Sequence, residues 1–252
     1  MSNLGHAAPR SPATITLISY NLWQSRAARE LAQLVAEYEP DLLCLQEVGS
    51  GHLPKRIGPL ALTATTTSHY FRVALYARED RFEVLSASSF RLFRSVHDRL
   101  LNYTGERLAA AHLHDRVTGR DLVVGSLHAT PLTDPNVSRL RQISDAHRHL
   151  RNFGEGLPIV MAGDFNYPVL VSTLRAFVAL QGFSLARSRT GTYQNHQRWY
   201  LRGSFDLATT SGLAVGEIET LPQRASDHKP IRMTLGFIEP KGRRGIRFST
   251  AR

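Results

Sequence analysis

The chain carries oxygen and nitrogen donors at positions where strands are expected to end. Gly163-Asp164-Phe165-Asn166 follows the apolar run 157–162 and reads as a buried strand that delivers a carboxylate and a carboxamide to a sheet edge. Side chains alternate along a strand, so Asp164 and Asn166 share a side, and an acceptor beside a mixed donor and acceptor suits a metal-bound phosphate. Taken alone, Asp-x-Asn is an Asx turn ahead of a helix. The pattern recurs, however. Asn21 closes the β-branched run 14–20, Glu47 closes the run 41–46, and His128 closes 122–127 ahead of a Pro-containing loop. An imidazole there is a candidate acid or base, because it titrates near neutral pH. Asp206 follows Phe205 after a loop rich in Arg, Gln and aromatic residues, and Asp227-His228 sits in the loop 223–230.

These donors need elements to hold them. A strand over 14–20, a helix over 26–38 with Leu31, Leu34, Val35 and Tyr38 at helical spacing, and a strand over 41–46 form one unit, with Pro40 stopping the helix. Parallel pairing of those strands would bring Asn21 and Glu47 to the same edge. Residues 49–68, with Gly, Pro and a Thr-rich patch, read as a long loop or short helix. Strands over 72–77 and 81–85 read as a hairpin around Arg78-Glu79-Asp80, with 90–93 a further strand. An Arg-rich loop containing His97, Asp98, Asn102 and Tyr103 then leads to Arg107. Strands over 108–113 and 122–127 form a second hairpin. The helix expected over 135–152 puts Val137, Leu140, Ile143, His147 and Leu150 on one face. His147 and His149, two apart, lack the i, i+4 spacing that would let them share a metal. The strand ending at Asp164, a helix over 169–180, a short strand over 183–186 and strands over 213–218 and 230–237 complete the chain. Short strands interleaved with about four helices predict an α/β (α+β) sandwich, two mixed β-sheets face to face with helices outside.

Composition bounds the partners. At 252 residues, 42% hydrophobic and 21% charged, the chain suits one large domain with an ample core. A formal charge of +10 and a pI near 10.3 favour a polyanion: nucleic acid, a phosphorylated ligand or an anionic head group. Half of that excess lies in residues 241–252, where Lys241, Arg243, Arg244, Arg247 and Arg252 meet no acid. Lys55, Lys229 and Lys241 are the only lysines, an arginine bias that suggests a GC-rich, bacterial genome. Cys44 is the sole cysteine, inside an apolar run, so it reads as an inert core thiol and no intramolecular disulfide can form. Residues 1–12 lack an apolar signal segment and no stretch could span a bilayer, so a cytoplasmic protein is expected.

Asn21 in Ser-Tyr-Asn-Leu-Trp, Glu47 in Leu-Gln-Glu-Val, His128 after its strand, Gly-Asp-Phe-Asn at 163–166, Asp206 after Phe205 and Ser-Asp-His-Lys-Pro at 226–230 together resemble the endonuclease/exonuclease/phosphatase superfamily. The resemblance implies a DNase I-like four-layer sandwich over 13–238; composition leaves 1–12 as a flexible segment and 239–252 as a basic, flexible tail. It implies Mg²⁺ or Mn²⁺ held chiefly by Glu47, with Asn21 and Asp227 nearby, as suits hard oxygen donors. It makes His228 the general base and Asp206 the group that fixes its tautomer. Asp164 and Asn166 orient the water and the phosphorus, and His128 protonates the leaving oxygen or donates to the phosphate. Arg107, in Gly-Glu-Arg-Leu, matches a phosphate-contacting arginine of the DNase I branch. The expected activity is phosphoester hydrolysis.

Departures narrow the substrate. Leu127-His128-Ala129-Thr130-Pro131 lacks the Tyr-x-Pro-Asn-Gly of abasic-site endonucleases, and Ser204-Phe205-Asp206-Leu207 lacks the Trp-Cys-Asp-Arg of inositol polyphosphate 5-phosphatases. A monomeric nuclease or phosphodiesterase on DNA or RNA is favoured by the basic balance, by the Arg-rich loops 91–107 and 187–202, and by Tyr193, Trp199 and Tyr200 as stacking candidates. The alternatives are a phosphatase or phosphodiesterase of a small or lipid phosphate ester and, more remotely, a non-catalytic phosphate-binding protein.

Overall fold

A computed structural model describes residues 13–49, 51, 53–67, 72–194 and 202–238. Strand β1 (Ile15–Asn21) is buried on both faces. Leu17 enters the core between two sheets, and Ile18 the layer beneath helix α1 (Leu31–Tyr38). The first sheet runs, in spatial order, β14 (Leu213–Thr220), β15 (Ile231–Phe237), β1, β2 (Leu42–Val48), β5 (Arg72–Arg78), β4 (Leu60–Thr65) and β3 (Arg56–Ile57). The second runs β10 (Ser184–Ala186), β13 (Asp206–Ser211), β9 (Ile159–Asp164), β8 (Arg120–His128), β7 (Glu106–Asp115) and β6 (Phe82–Arg91), and β11 (Tyr193–Gln194) pairs separately with β12 (Arg202–Gly203). Both are mixed: β1 and β2 are parallel, as are β8 and β9, while their neighbours are antiparallel. Their shared core includes Leu17, Leu42, Leu75, Leu113, Val124, Val160 and Met233.

Helices cover the outer faces. Leu31, Leu34 and Val35 of α1 pack on the first sheet. Ile143 and Leu150 of α3 (Asn136–Phe153) and Leu174 and Val178 of α4 (Val171–Leu180) pack on the second. The expected sandwich is therefore the observed architecture. Cys44 is fully buried, and burial pushes its thiol up to about 12.

Several local expectations need correction. Residues 72–85 do not form a hairpin, because β5 pairs with β2 and β4 in one sheet and β6 pairs with β7 in the other. The connecting turn crosses between sheets at Arg81, whose buried guanidinium bonds Asp41 ahead of β2 and Asp115 at the end of β7. Residues 90–93 are not a separate strand, since β6 already runs through Arg91. Part of 49–68 is strand: Leu60–Thr65 pairs with β5 and buries Leu60 and Ala64. The polar loop before Arg107 contains a short helix, α2 (Val96–Leu100), started by a capping box in which Ser95 and Asp98 exchange bonds. The first helix begins at Leu31, preceded by a short 3-10 turn at Ala28–Glu30. Val137 points outward and is 52% exposed. Residues 1–12, 239–252, Trp199 and Tyr200 lie outside the described residues.

Candidate active site

Parallel strands end together, and two parallel pairs end at the same place. In register, Asn21 stands beside Gln46 on β1 and β2, and His128 stands beside Asp164 on β8 and β9. The antiparallel β13 starts there too, with Asp206 opposite Asp164. Gly163 makes the approach of β8 and β9 possible: its φ is +155° and a Cβ would collide with the Leu127 carbonyl. The donors thus gather at the carboxyl ends of the central strands, where open α/β sheets place ligands.

Two sheets supply one cluster. Asn21 Nδ2 donates to Glu47 Oε1 at 3.2 Å and to Asp164 Oδ2 at 3.0 Å, bridging the sheets. Its Oδ1 accepts from the Trp23 amide at 3.0 Å, and Glu47 Oε2 accepts from the Gln24 amide at 3.2 Å. His128 Nε2 lies 3.7 Å from Glu47 Oε1 and 3.8 Å from Asp164 Oδ2. His228 Nε2 lies 3.8 Å from Asp164 Oδ2, while its Nδ1 meets Asp206 Oδ2 at 2.8 Å. Ser226 Oγ donates to the Asn21 carbonyl at 2.7 Å and accepts from the His228 amide, tying the last loop to β1. Asn166 Nδ2 donates to the Ala129 carbonyl at 3.1 Å, and its amide donates to Asp164 Oδ1. Asp227 is half-buried on the wall of the same cavity.

The electrostatics are those of excess buried negative charge. Burial pushes the Glu47 carboxyl up, with the nearby Asp227 adding to the effect. Burial pushes Asp164 up as well; His228 opposes this, and Asp206 and Glu47 reinforce it. For His228 burial favours the neutral ring, but the carboxylates of Asp206 and Asp164 prevail and hold its pKa well above the ordinary imidazole value. A divalent cation fits this donor set. Among the described residues, ligand atoms of Glu47, His128 and Asp164 lie within 4.8 Å of one another, and hard oxygens dominate the cluster.

The surrounding cavity, about 380 Å³, holds most of the residues anticipated from sequence: Glu47, Arg107, His128, Asp164, Asn166, Asp227 and His228. Asn21 and Asp206 are fully buried behind it, bonded to Asp164 and His228. Arg107 is locked in place: Nε and Nη2 bond Asp98 of α2, and Nη1 donates to the His128 carbonyl at 3.1 Å. Those bonds use three of its five N–H groups, so two remain for another acceptor. Sequence reading missed Trp23, Gln24, His97 and the Pro131–Thr133 segment as wall residues. The capping box Ser95-x-x-Asp98 was a usable signal for the helix that carries His97.

The sequence profile of the Endonuclease/Exonuclease/phosphatase family matches residues 18–228, a span that contains every residue of the cluster. Nocturnin of Mus musculus is 26% identical over 163 residues, covering 57% of this chain and 36% of Nocturnin. The matched region is thus well under half of that relative. An endonuclease/exonuclease/phosphatase from Bacteroides vulgatus superposes with a TM-score of 0.74 at 16% identity, over 89% of this chain and 99% of that one. The D. rerio TDP2 structure complexed with single strand DNA product gives a TM-score of 0.70 at 17% identity, again over 89% and 99%. Fold, strand-end donors and sequence profile agree: the chain belongs to the endonuclease/exonuclease/phosphatase family.

Proposed function

We propose that this protein is a Mg²⁺- or Mn²⁺-dependent phosphodiesterase acting on DNA or RNA. What supports this reading above all is the convergence of Glu47, His128 and Asp164 beside the His228–Asp206 pair. Glu47 and Asp164 would hold the ion with Asp227 in reach, while the Asn21 amide orients both carboxylates. When bound, the cation would draw charge from the phosphoryl oxygens and offset the carboxylates that keep His228 protonated.

The remaining work falls to side chains. His228 Nε2 takes the proton of the attacking water, and Asp206 keeps Nδ1 protonated and stabilises the imidazolium that forms. His128 donates to the leaving oxygen. Asn166 and Arg107 hold the phosphate, Arg107 through its two remaining N–H groups. Asp164 orients the water through the oxygen that faces both imidazoles. General acid and general base contributions of roughly 10²- to 10⁴-fold each fit this arrangement. The formal charge of +10 supports a polyanionic substrate. A monomer in a bacterial cytoplasm is the setting this reading assumes; no helix among the described residues is long and apolar enough to cross a membrane.

A second reading, hydrolysis of a small phosphate ester, draws on the bounded cavity, where Tyr193 and Phe205 form part of the wall. One panel separates the two: supercoiled plasmid, single-stranded DNA, RNA, bis-nitrophenyl phosphate, sugar and inositol phosphates and sphingomyelin, with Mg²⁺ or Mn²⁺ and His228→Ala as the blank. Nucleic-acid cleavage that the variant lacks is expected. Turnover confined to small esters would favour the second reading, and turnover that survives thorough chelation would overturn the metal-dependent mechanism.

A further inference from the structure

The segment leaving β1 is strained at three successive residues. Trp23, Gln24 and Ser25 have φ of +47°, +53° and +68°, a left-handed turn built without glycine, although a Cβ makes that region unfavourable. Hydrogen bonds hold the turn: the Trp23 amide on Asn21 Oδ1, the Gln24 amide on Glu47 Oε2, the Ser25 amide on the Glu47 carbonyl at 3.0 Å, and the Gly49 amide on Ser25 Oγ at 2.6 Å. One consequence is a fixed Glu47 carboxylate. The other is that a large indole, half-buried, stands in the cavity wall next to Glu47.

Orienting Glu47 needs only the backbone of this turn, so the indole itself calls for a separate explanation. The Arg26 guanidinium carbon lies 3.8 Å from its ring centroid and covers one face. Among the described residues Tyr193 and Phe205 also line the cavity, but Phe205 is buried and Tyr193 is engaged with Phe205 and His228 at ring separations of 4.8 and 5.0 Å. A flat indole backed by a guanidinium, beside the phosphate position, matches the face of a nucleobase. We propose that Trp23 contacts substrate by stacking on the base adjoining the scissile phosphate, and so selects base-bearing phosphoesters. This rests on the nucleic-acid reading of the same site.

The test compares a dinucleoside phosphate with its abasic counterpart in wild type, Trp23→Ala and Trp23→Phe. For Trp23→Ala the loss of kcat/KM should be roughly tenfold or more larger on the base-bearing substrate and should fall mainly on KM, with Trp23→Phe recovering most of it. A second measurement leaves Trp23 in place: in a Trp199→Phe protein, where it is the only tryptophan, adenosine 5′-monophosphate should quench its fluorescence and ribose 5-phosphate should not. Equal losses on both substrates, or equal quenching by both ligands, would overturn the stacking role and leave the hydrolase reading intact. A wild-type enzyme that cleaves only base-free esters would remove the nucleic-acid reading and the stacking with it.

Discussion

Both ends of the sandwich bury carboxylates between the sheets, and they balance them differently. At one end Asp41 and Asp115 face arginine: Arg81 reaches Asp41 at 3.1 Å and Asp115 at 3.0 Å, and Arg78 reaches Asp41 at 3.3 Å. Backbone and hydroxyl donors complete the shell, among them the Thr16 amide on Asp41 and Thr118 Oγ1 on Asp115. At the other end Glu47, Asp164 and Asp206 meet imidazoles, with the carboxyls of Glu47 and Asp164 pushed up by burial. Strand β2 links the two: Asp41 precedes it and Glu47 lies near its far end. A carboxylate fully matched by guanidinium is a clamp between sheets. One left in excess is a place for a cation and for proton transfer.

The contrast can be broken at the reactive end first. His228→Ala should lower kcat at least 10²- to 10⁴-fold, the scale of a lost general base, and Glu47→Ala should abolish turnover. Circular dichroism should stay near wild type for both, while the unfolding midpoint of His228→Ala should fall because Asp206 is left buried without its partner; full activity in either variant would contradict the assigned roles. The clamp should respond in the opposite sense. Arg81→Ala leaves Asp41 and Asp115 buried without their shared partner and should cost about 3–5 kcal/mol in urea unfolding, while kcat of the folded protein is retained. A neutral outcome would mean that the arginine end is not what joins the sheets.

His147 supplies a third kind of buried polar site. It stacks on Phe183 at 3.8 Å, bonds Gln181 and Thr209, and is driven by burial from its ordinary 6.5 down to about 4, with the Arg151 charge adding to the shift and the Gln181 bond opposing it. The folded state therefore resists a proton that the unfolded chain accepts. Stability from this group is complete above pH 6.5 and is lost as pH falls toward 4, to a limit of about 3 kcal/mol. Unfolding free energies across that window should show this slope, and His147→Asn should flatten it. The smallest expected effect is thermodynamic linkage to the ion. Saturating Mg²⁺ or Mn²⁺ should stabilise the protein by about 1–3 kcal/mol, and the Glu47→Ala/Asp164→Ala double variant should not respond.

The site was more legible than the path of the chain between its parts. Asn21, Glu47, His128 and Asp164 lie at or beside the ends of runs whose apolar patterning marks a strand, and each of those strands is present. The β5 to β6 connection was not legible, because two apolar runs around a short charged turn have the local signature of a hairpin. Arg81 makes that turn a crossing, and its partners lie 40 and 34 positions away. The left-handed turn at Trp23 escaped for a related reason: without glycine nothing local announces it, and its hydrogen bonds depend on Glu47 being in place. Alternation and composition alone determined the strands that carry the donors, the longer helices and the donors at strand ends, since those depend on neighbours within a few residues. Only the tertiary structure decided that Asn21 would bridge to Asp164, 143 positions away. That contact exists because two sheets pack face to face with their central parallel pairs ending at one edge.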